Sequence, residues 1–137
     1  DLAIALAGQM IELIEKDKKI RGCNAKWYSD NLKGYQSAGT RLAPDYPYLR
    51  YPLLIDDVGL RNRILEILVA QGTGATGSYP TPLNELPKLN DVLMDSRKYN
   101  NAKKISTSIV TLPVHSGVKE ADREKIVRVM RQVSHAN

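Results

Sequence analysis

Residue types that carry out chemistry are sparse in this chain of 137 residues. A Ser-His-Asp arrangement needs a histidine within hydrogen-bond reach of a nucleophile, and the candidates are His115 and His135. His115 comes in a turn after a predicted strand, which favours a structural or surface role, and His135 lies near the end of the sequence. With Cys23 as the single cysteine, these residues do not make the ligand set of a metal ion.

A glycine-rich segment has the spacing GxGxxG at Gly72, Gly74 and Gly77. In dinucleotide-binding proteins that motif follows a strand and opens a helix, whereas here it follows a predicted helix. We therefore expect Gly72 to end the helix, and Ala75 to Tyr79 to form a short strand that passes closely under another surface. The lysines stand in polar or helical surface contexts, so none is expected to anchor a cofactor as a Schiff base.

Composition predicts one compact domain from a reducing compartment. Hydrophobic residues make up 42% of the chain, enough for one core. The net charge of +5 comes from scattered basic residues with acids between them, so no nucleic-acid partner is expected. One cysteine cannot form an internal disulfide, which favours the cytoplasm. The apolar run from Leu2 to Ala7 follows no basic region and is soon interrupted, so neither a signal peptide nor a membrane span is predicted.

Helical spacing of apolar residues predicts one long helix from Asp1 to about Leu32. Such a helix is about 45 Å long at 1.5 Å per residue, more than a domain of this size covers along one side. We expect one end to project towards protein that this chain lacks. Because the helix is apolar almost all round near its start, Leu2 to Met10 should be exposed, frayed or covered by a neighbouring copy.

Strands and helices then alternate along the chain. Gly34 to Pro47 is a predicted connection, and Tyr48 to Ile55 is a predicted strand, placed at the sheet edge because Pro52 lacks an N–H. Asp56 and Asp57 are candidate N-caps for the helix that ends at Gly72. Later elements are a helix in the second half of 91–106, a strand over 109–112 ended by Pro113, and a helix over 120–134. The predicted fold class is α/β, a two-layer sandwich with a small sheet of two to four strands, helices on one face and a long N-terminal helix.

Three stretches together resemble one enzyme family. They are the opening DLAIALAGQMIELIEKDKKIRGCNAKWYSDNL, then RYPLLI with LRNRILEILVAQGTGATGSYPTPL, and the closing NAKKISTSIVTLPVHSGVKEADREKIVRVM. Arg21, Ala25, Tyr28 and Leu32 match later positions of the family's first helix. Nearly the whole chain resembles the C-terminal small domain of the DegT/DnrJ/EryC1/StrS aminotransferases, fold-type I enzymes that use pyridoxal phosphate to aminate nucleotide-linked keto-sugars. RYPLLI and TGSYPTPLNELP look closest to members from exopolysaccharide genes.

The resemblance implies that the chemistry belongs to a larger parent. The family's pyridoxal lysine, the acid paired with the pyridine nitrogen and the phosphate-binding residues lie in a preceding large domain. The cofactor is therefore expected in the parent enzyme and not on this fragment, which should be inactive alone. The implied partners are that large domain, a homodimer partner and a nucleotide-sugar substrate, with no membrane and no nucleic acid.

One loop of this chain corresponds to a substrate-facing loop of the family, which commonly reads His-Tyr-x-Pro-Leu-His. Tyr79, Pro82 and Leu83 match it, while Ser78 and Asn84 replace the histidines. The resemblance therefore implies Ser78, Tyr79 and Asn84 as substrate-binding residues. The alternative for Tyr79 is a packed aromatic that anchors the loop.

Two further functions stay open at this stage. One is a stand-alone α/β interaction or RNA-binding module, in which Tyr79, Tyr48 and Tyr51 stack on bases. The other is a small enzyme that acts through His115 with Asp or Ser neighbours.

Overall fold

The computed structural model describes residues 2–37, 46, 48–89 and 97–135. Its first element is helix α1, Leu2–Asn31, which confirms the predicted long helix. The segment contains no proline, so no missing N–H interrupts its hydrogen bonds. The last third of α1 packs into the domain through the buried side chains of Asn24, Ala25 and Tyr28, and the buried Leu32 follows the end of the helix.

A three-stranded antiparallel sheet follows, with strands β1 (Gln36–Ser37), β2 (Arg50–Leu54) and β3 (Ile109–Pro113) in the order β1-β2-β3. The prediction of β2 as an edge strand is wrong, because β2 lies between the other two. Ile55 donates its N–H to Ser108 O at 3.0 Å, so by the alternation of the ladder Pro52 turns its nitrogen away from β3. On that side the described residues of β1 pair with Leu53 and Leu54, and the missing N–H of Pro52 interrupts neither of these pairs.

Helix α2 spans Val58–Ala70, between the predicted N-cap and the predicted terminal glycine, Gly72. The side chain of Asp57 accepts a hydrogen bond from Leu60 N at 2.9 Å, so Asp57 is the N-cap. Gly72 follows the end of the helix with φ +65°, the left-handed conformation that glycine adopts without steric cost. The predicted limits of α2 are confirmed.

The strand predicted over Ala75 to Tyr79 is wrong except at one residue. Only Thr76 pairs, with Thr111 of β3, through hydrogen bonds of 3.0 and 2.8 Å. Gly74 and Tyr79 both have positive φ, which is incompatible with a regular strand. Two 3₁₀ turns, Leu83–Glu85 and Pro87–Leu89, follow this segment.

The remaining helices are α3, Asn100–Ser108, and α4, Glu120–His135. Both agree with the predictions, as does β3 with its terminal Pro113. Two predicted segments lie partly outside the described residues: the connection over 34–47 and the first half of 91–106. Within the described connection, β1 is a strand that the sequence did not indicate.

The core lies between one face of the sheet and the helices. Alternate residues of β2 and β3 supply the sheet side, and α2 and α4 pack against them and each other. Buried members of this layer are Tyr51, Leu53, Val110, Leu112, Ile64, Leu68, Ile126 and Met130. The predicted two-layer α/β fold is confirmed, and it fixes both α1 and the loop that follows α2.

Candidate functional site

The candidate site is the loop of residues 74–84, called here the Tyr79 loop. Tyr79 itself is 68% exposed and has φ +69°, and among the described residues it is the non-glycine position with positive φ. A proline follows it, which restricts Tyr79 further towards extended conformations. Such a backbone costs about 1–3 kcal/mol and persists only where the surroundings impose it, often at functional positions. The backbone of Tyr79 is therefore held at an energetic cost, and its ring does not pack against the described residues of this chain.

Hydroxyl groups tie the base of the loop to the sheet. Ser78 N–H donates to Thr76 Oγ1 at 2.9 Å, and the two hydroxyls lie 2.6 Å apart. The Ser78 hydroxyl also lies 3.4 Å from Thr111 Oγ1 on β3. Ser78 thus has its hydroxyl among loop and strand groups, while the next residue points to solvent.

The far side of the loop is joined to the segment before α3. Asn84 Nδ2 donates to Arg97 O at 2.8 Å, and Glu85 accepts from Thr81 Oγ1 at 3.0 Å and pairs with Lys103. The hydrogen bond from Lys103 is the main cause that lowers the pKa of Glu85. Asn84 therefore has one side-chain atom occupied by a backbone carbonyl.

Between these anchors the loop presents an apolar surface. Leu83 is 66% exposed, close in sequence to the exposed ring of Tyr79, and Pro82 between them is buried. An aromatic and an aliphatic side chain on an anchored backbone can bind a ring or an apolar ligand face. The three predicted substrate residues thus lie in one loop, and Tyr79 is the most exposed of them.

Three residues that contact the base of this loop have no functional role among the predictions from sequence. Arg50 and Arg61 donate hydrogen bonds to carbonyl groups of the loop or of β3, and Gly77 lies against the Arg61 guanidinium. The available signal was weak: Arg50 and Arg61 belong to the stretches that resemble the family, and Gly77 is part of the GxGxxG spacing.

The structure does not form the site predicted for either alternative function, the RNA-binding module or the small enzyme acting through His115. Tyr48 and Tyr51 are buried in the core, so they cannot stack on bases together with Tyr79. His115 is exposed, and its Nδ1 accepts the Gly117 N–H at 3.2 Å, which is the geometry of a structural turn. In the part of the chain that the structure covers, no group of three metal-ligating side chains occurs.

A second surface lies along the first half of α1. Leu6, Met10, Leu13 and Ile14 form it, and each side chain is between 50% and 65% exposed; we call it the open stripe. Leu6, Met10 and Ile14 precede the buried Asn24, Tyr28 and Leu32 by 18 positions each, which is five turns of 3.6 residues. The open stripe therefore continues the buried face of the helix, and the prediction of an exposed start is confirmed from Leu6 onwards.

A polar bracket marks where α1 leaves the domain. Arg21 pairs with Asp17 and donates to Leu49 O at 3.0 Å, and Asp17 accepts from Ser116 N at 3.3 Å. The hydrogen bond from Arg21 is the main cause that lowers the pKa of Asp17. These contacts join α1 to the start of β2 and to the turn after β3. None of the helices described here has the length and hydrophobicity to cross a membrane.

Three solved structures of aminotransferases share this fold. One from Brucella abortus, described as a DegT DnrJ EryC1 StrS aminotransferase, has a TM-score of 0.74 and 20% identity, over 90% of this chain and 33% of its own. TlmJ from Streptoalloteichus hindustanus has a TM-score of 0.77 and 18% identity, over 94% and 35%. Helicobacter pylori PseC, an aminotransferase involved in pseudoaminic acid biosynthesis, has a TM-score of 0.69 and 16% identity, over 88% and 33%. The chain thus spans about a third of each relative.

No curated protein matches the chain in sequence. The structural likeness, at 20% identity or less, shows the fold alone. The family model of the DegT/DnrJ/EryC1/StrS aminotransferases, however, matches residues 1–131, from the start of α1 into the last turns of α4. With the match extending over nearly all of the sequence and the fold agreeing with it, this chain belongs to the DegT/DnrJ/EryC1/StrS aminotransferase family.

Proposed function

We propose that the chain is the C-terminal small domain of a pyridoxal-phosphate-dependent aminotransferase that aminates a nucleotide-linked keto-sugar for polysaccharide biosynthesis. One observation carries the proposal: a family match over residues 1–131 in a chain that spans only about a third of its solved relatives. The remaining two thirds would be the large domain, which holds the cofactor. The fragment alone is then catalytically inactive.

The exposure of the lysines in this chain supports the assignment of the cofactor to the large domain. A Schiff-base lysine needs a buried site that lowers its pKa. Every lysine whose side chain the structure describes is exposed or half-exposed, so the described residues do not fit pyridoxal phosphate. In the proposal the cofactor's lysine, its acid partner and its phosphate ligands all belong to the large domain.

The open stripe is the proposed contact with that large domain. Apolar side chains that continue a buried helix face are normally covered, and a lone domain of this size has nothing to cover them with. The Asp17 and Arg21 bracket holds α1 at the point where the stripe leaves the small domain. In the cytoplasmic parent, a homodimer partner would complete the assembly.

The Tyr79 loop is the proposed substrate side of the domain. Tyr79 would contact the sugar nucleotide with its exposed ring, and Ser78 and Asn84, both half-buried, would contribute polar side-chain atoms beside it. Because both positions lack the family's histidines, the loop would bind and orient the substrate and move no proton.

The test uses the full-length parent with Tyr79→Ala, and Tyr46→Ala as a matched change of another exposed tyrosine. Tyr79→Ala should raise KM for the keto-sugar nucleotide about tenfold, the equivalent of about 1.4 kcal/mol of binding, and leave KM for the amino donor unchanged. Tyr46→Ala should change neither. Equal effects on both substrates, or none, would contradict a substrate role for the loop.

A second test concerns the fragment itself. Incubated with pyridoxal phosphate and then borohydride, it should show no stoichiometric adduct on any single lysine, because no described lysine has a buried site. An adduct fixed at one position would place the cofactor on this domain and contradict the proposal.

A further inference from the structure

Two arginines from different elements meet the base of the Tyr79 loop. We propose that Arg50 and Arg61 are positioning residues that clamp residues 74–78 against β3 and thereby hold Tyr79 in its left-handed conformation. The inference rests on the proposed function only for what the loop binds. The clamp itself is a property of this chain.

Arg50 reaches the loop from β2. Its Nε donates to Thr111 Oγ1 at 2.7 Å, and its Nη2 donates to Thr111 O at 3.1 Å and to Gly74 O. One guanidinium thus joins the start of the loop to the residue of β3 with which Thr76 pairs. The planar fork of an arginine can make these bonds together, which a lysine ammonium on the same stem cannot.

Arg61 reaches the loop from α2, on the other side. Its Nε donates to Ile109 O at 3.0 Å, which fixes the guanidinium at the start of β3. Gly77 lies directly against it: a Cβ added to Gly77 would be 2.3 Å from Arg61 Nη2 and 2.8 Å from Leu65 Cδ2. The backbone at Gly77 therefore packs on the arginine at a distance that only glycine permits.

The clamp acts on Tyr79 through its neighbours in sequence. Thr76 is held by both hydrogen bonds to Thr111, and Ser78 N–H is held by the Thr76 side chain. With Gly77 packed on Arg61, the three residues before Tyr79 have little freedom, and Pro80 restricts the chain after it. The contacts at the base of the loop thus impose the strained conformation of Tyr79, and a strained residue persists only where its surroundings impose it.

Desolvation accompanies this arrangement. Burial lowers the pKa of both Arg50 and Arg61, although each guanidinium stays charged. Most of their acceptors are backbone carbonyls of the loop and β3, so these two charges serve to fix backbone.

The experiment measures backbone order in the 137-residue chain by ¹⁵N relaxation. In the wild type, Ser78 and Tyr79 should have order parameters of about 0.85, like α2, and in Arg61→Met and Arg50→Met these should fall below about 0.6. Arg63→Met is the matched control, because Arg63 is exposed on the same helix, and it should leave the loop unchanged. Arg61→Lys should restore order only in part.

An unchanged loop in both methionine variants, with the fold intact, would overturn the clamp. If either variant fails to fold, Gly77→Ala provides the test, because its methyl group displaces the Arg61 guanidinium while both arginines remain. A mobile Tyr79 is the expected result for Gly77→Ala, and a rigid one would refute the inference.

Kinetics of the parent separate the clamp from the substrate role. Arg61→Met should raise KM for the keto-sugar nucleotide by about the factor seen for Tyr79→Ala, with the amino donor unaffected, and the double variant should add nothing further. If Tyr79→Ala has no effect on KM, the proposed substrate role of the loop fails, and the order parameters still decide the clamp. If Tyr79→Ala acts and Arg61→Met does not, the clamp fails alone.

Discussion

The Tyr28 hydroxyl is the buried polar group whose removal has the most informative expected effect. Tyr28 is fully buried, with its ring centroid 5.7 Å from those of both Trp27 and Tyr51. Its hydroxyl finds no hydrogen-bond partner within the residues that the structure describes. Burial also raises the pKa of this phenol well above its ordinary value, so the group is neutral.

Tyr28→Phe keeps the ring contacts and removes only the unpaired hydroxyl. An unsatisfied buried polar group costs about 1–3 kcal/mol, so the free energy of unfolding should rise, by about 1 kcal/mol after allowing for the small gap left behind. Tyr35→Phe is the matched change with the opposite sign. The Tyr35 hydroxyl donates to Met130 O at 2.8 Å and contacts Ser134, so its loss should lower stability by about 0.5–1.5 kcal/mol.

Urea unfolding of the wild type and both variants measures the difference, with equal m-values as the check that the unfolding reaction is unchanged. The expected result is opposite shifts of the midpoint. A loss of more than about 1 kcal/mol for Tyr28→Phe would refute the reasoning, because it would show that the hydroxyl has a partner, such as a buried water.

Three further predictions test the helices. Asp57→Ala should lower the free energy of unfolding by about 0.5–2 kcal/mol, because α2 loses its N-cap. Asp56→Ala, one residue earlier and exposed, should have a much smaller effect. Equal effects of the two variants in urea unfolding would contradict the role of Asp57 as the cap. The Arg21 hydrogen bond lowers the pKa of Asp17, so the ion pair stabilises the fold above pH 3.8, the ordinary pKa, and this stabilisation is lost as the pH falls below that value. The difference in the free energy of unfolding between wild type and Asp17→Asn should therefore shrink in acid. A difference that stays constant with pH would exclude this linkage. In the dilute monomer, amides of Leu6 to Ile14 should exchange with deuterium much faster than those of Asn24 to Asn31, and strong protection of the open stripe would show that it needs no covering domain.

Local sequence was enough to predict features that depend on neighbouring residues. Helix α1, the Asp57 cap, the Gly72 terminus and the strand that ends at Pro113 all follow from spacing, capping and backbone restriction over a few positions. The exposed start of α1 was predictable too, since its apolar surface exceeds what so small a domain can cover. The family was recognisable for a related reason, because its three stretches keep their order along the chain.

Contacts between segments distant in sequence determined the place of Pro52 in the sheet and the burial of the tyrosines. Pro52 fits a central strand because its nitrogen faces away from β3, and nothing near Pro52 in the sequence reveals which side of the strand pairs with β3. Tyr48 and Tyr51 are core residues while Tyr79 is exposed, although all three are tyrosines next to or near prolines. That difference comes from tertiary packing, because Tyr48 and Tyr51 pack in an aromatic cluster with Tyr28 of α1, whereas Tyr79 lies in an exposed loop.

The Tyr79 loop shows the same division most clearly. Its glycines and prolines predicted an irregular backbone with fixed turns, and local propensity alone favoured a strand over Ala75 to Tyr79. Arg50 and Arg61, from β2 and α2, replace that strand with a single pair at Thr76 and a strained Tyr79. A left-handed tyrosine before a proline costs free energy that no neighbour in sequence repays, so only long-range contacts of the folded chain can impose it.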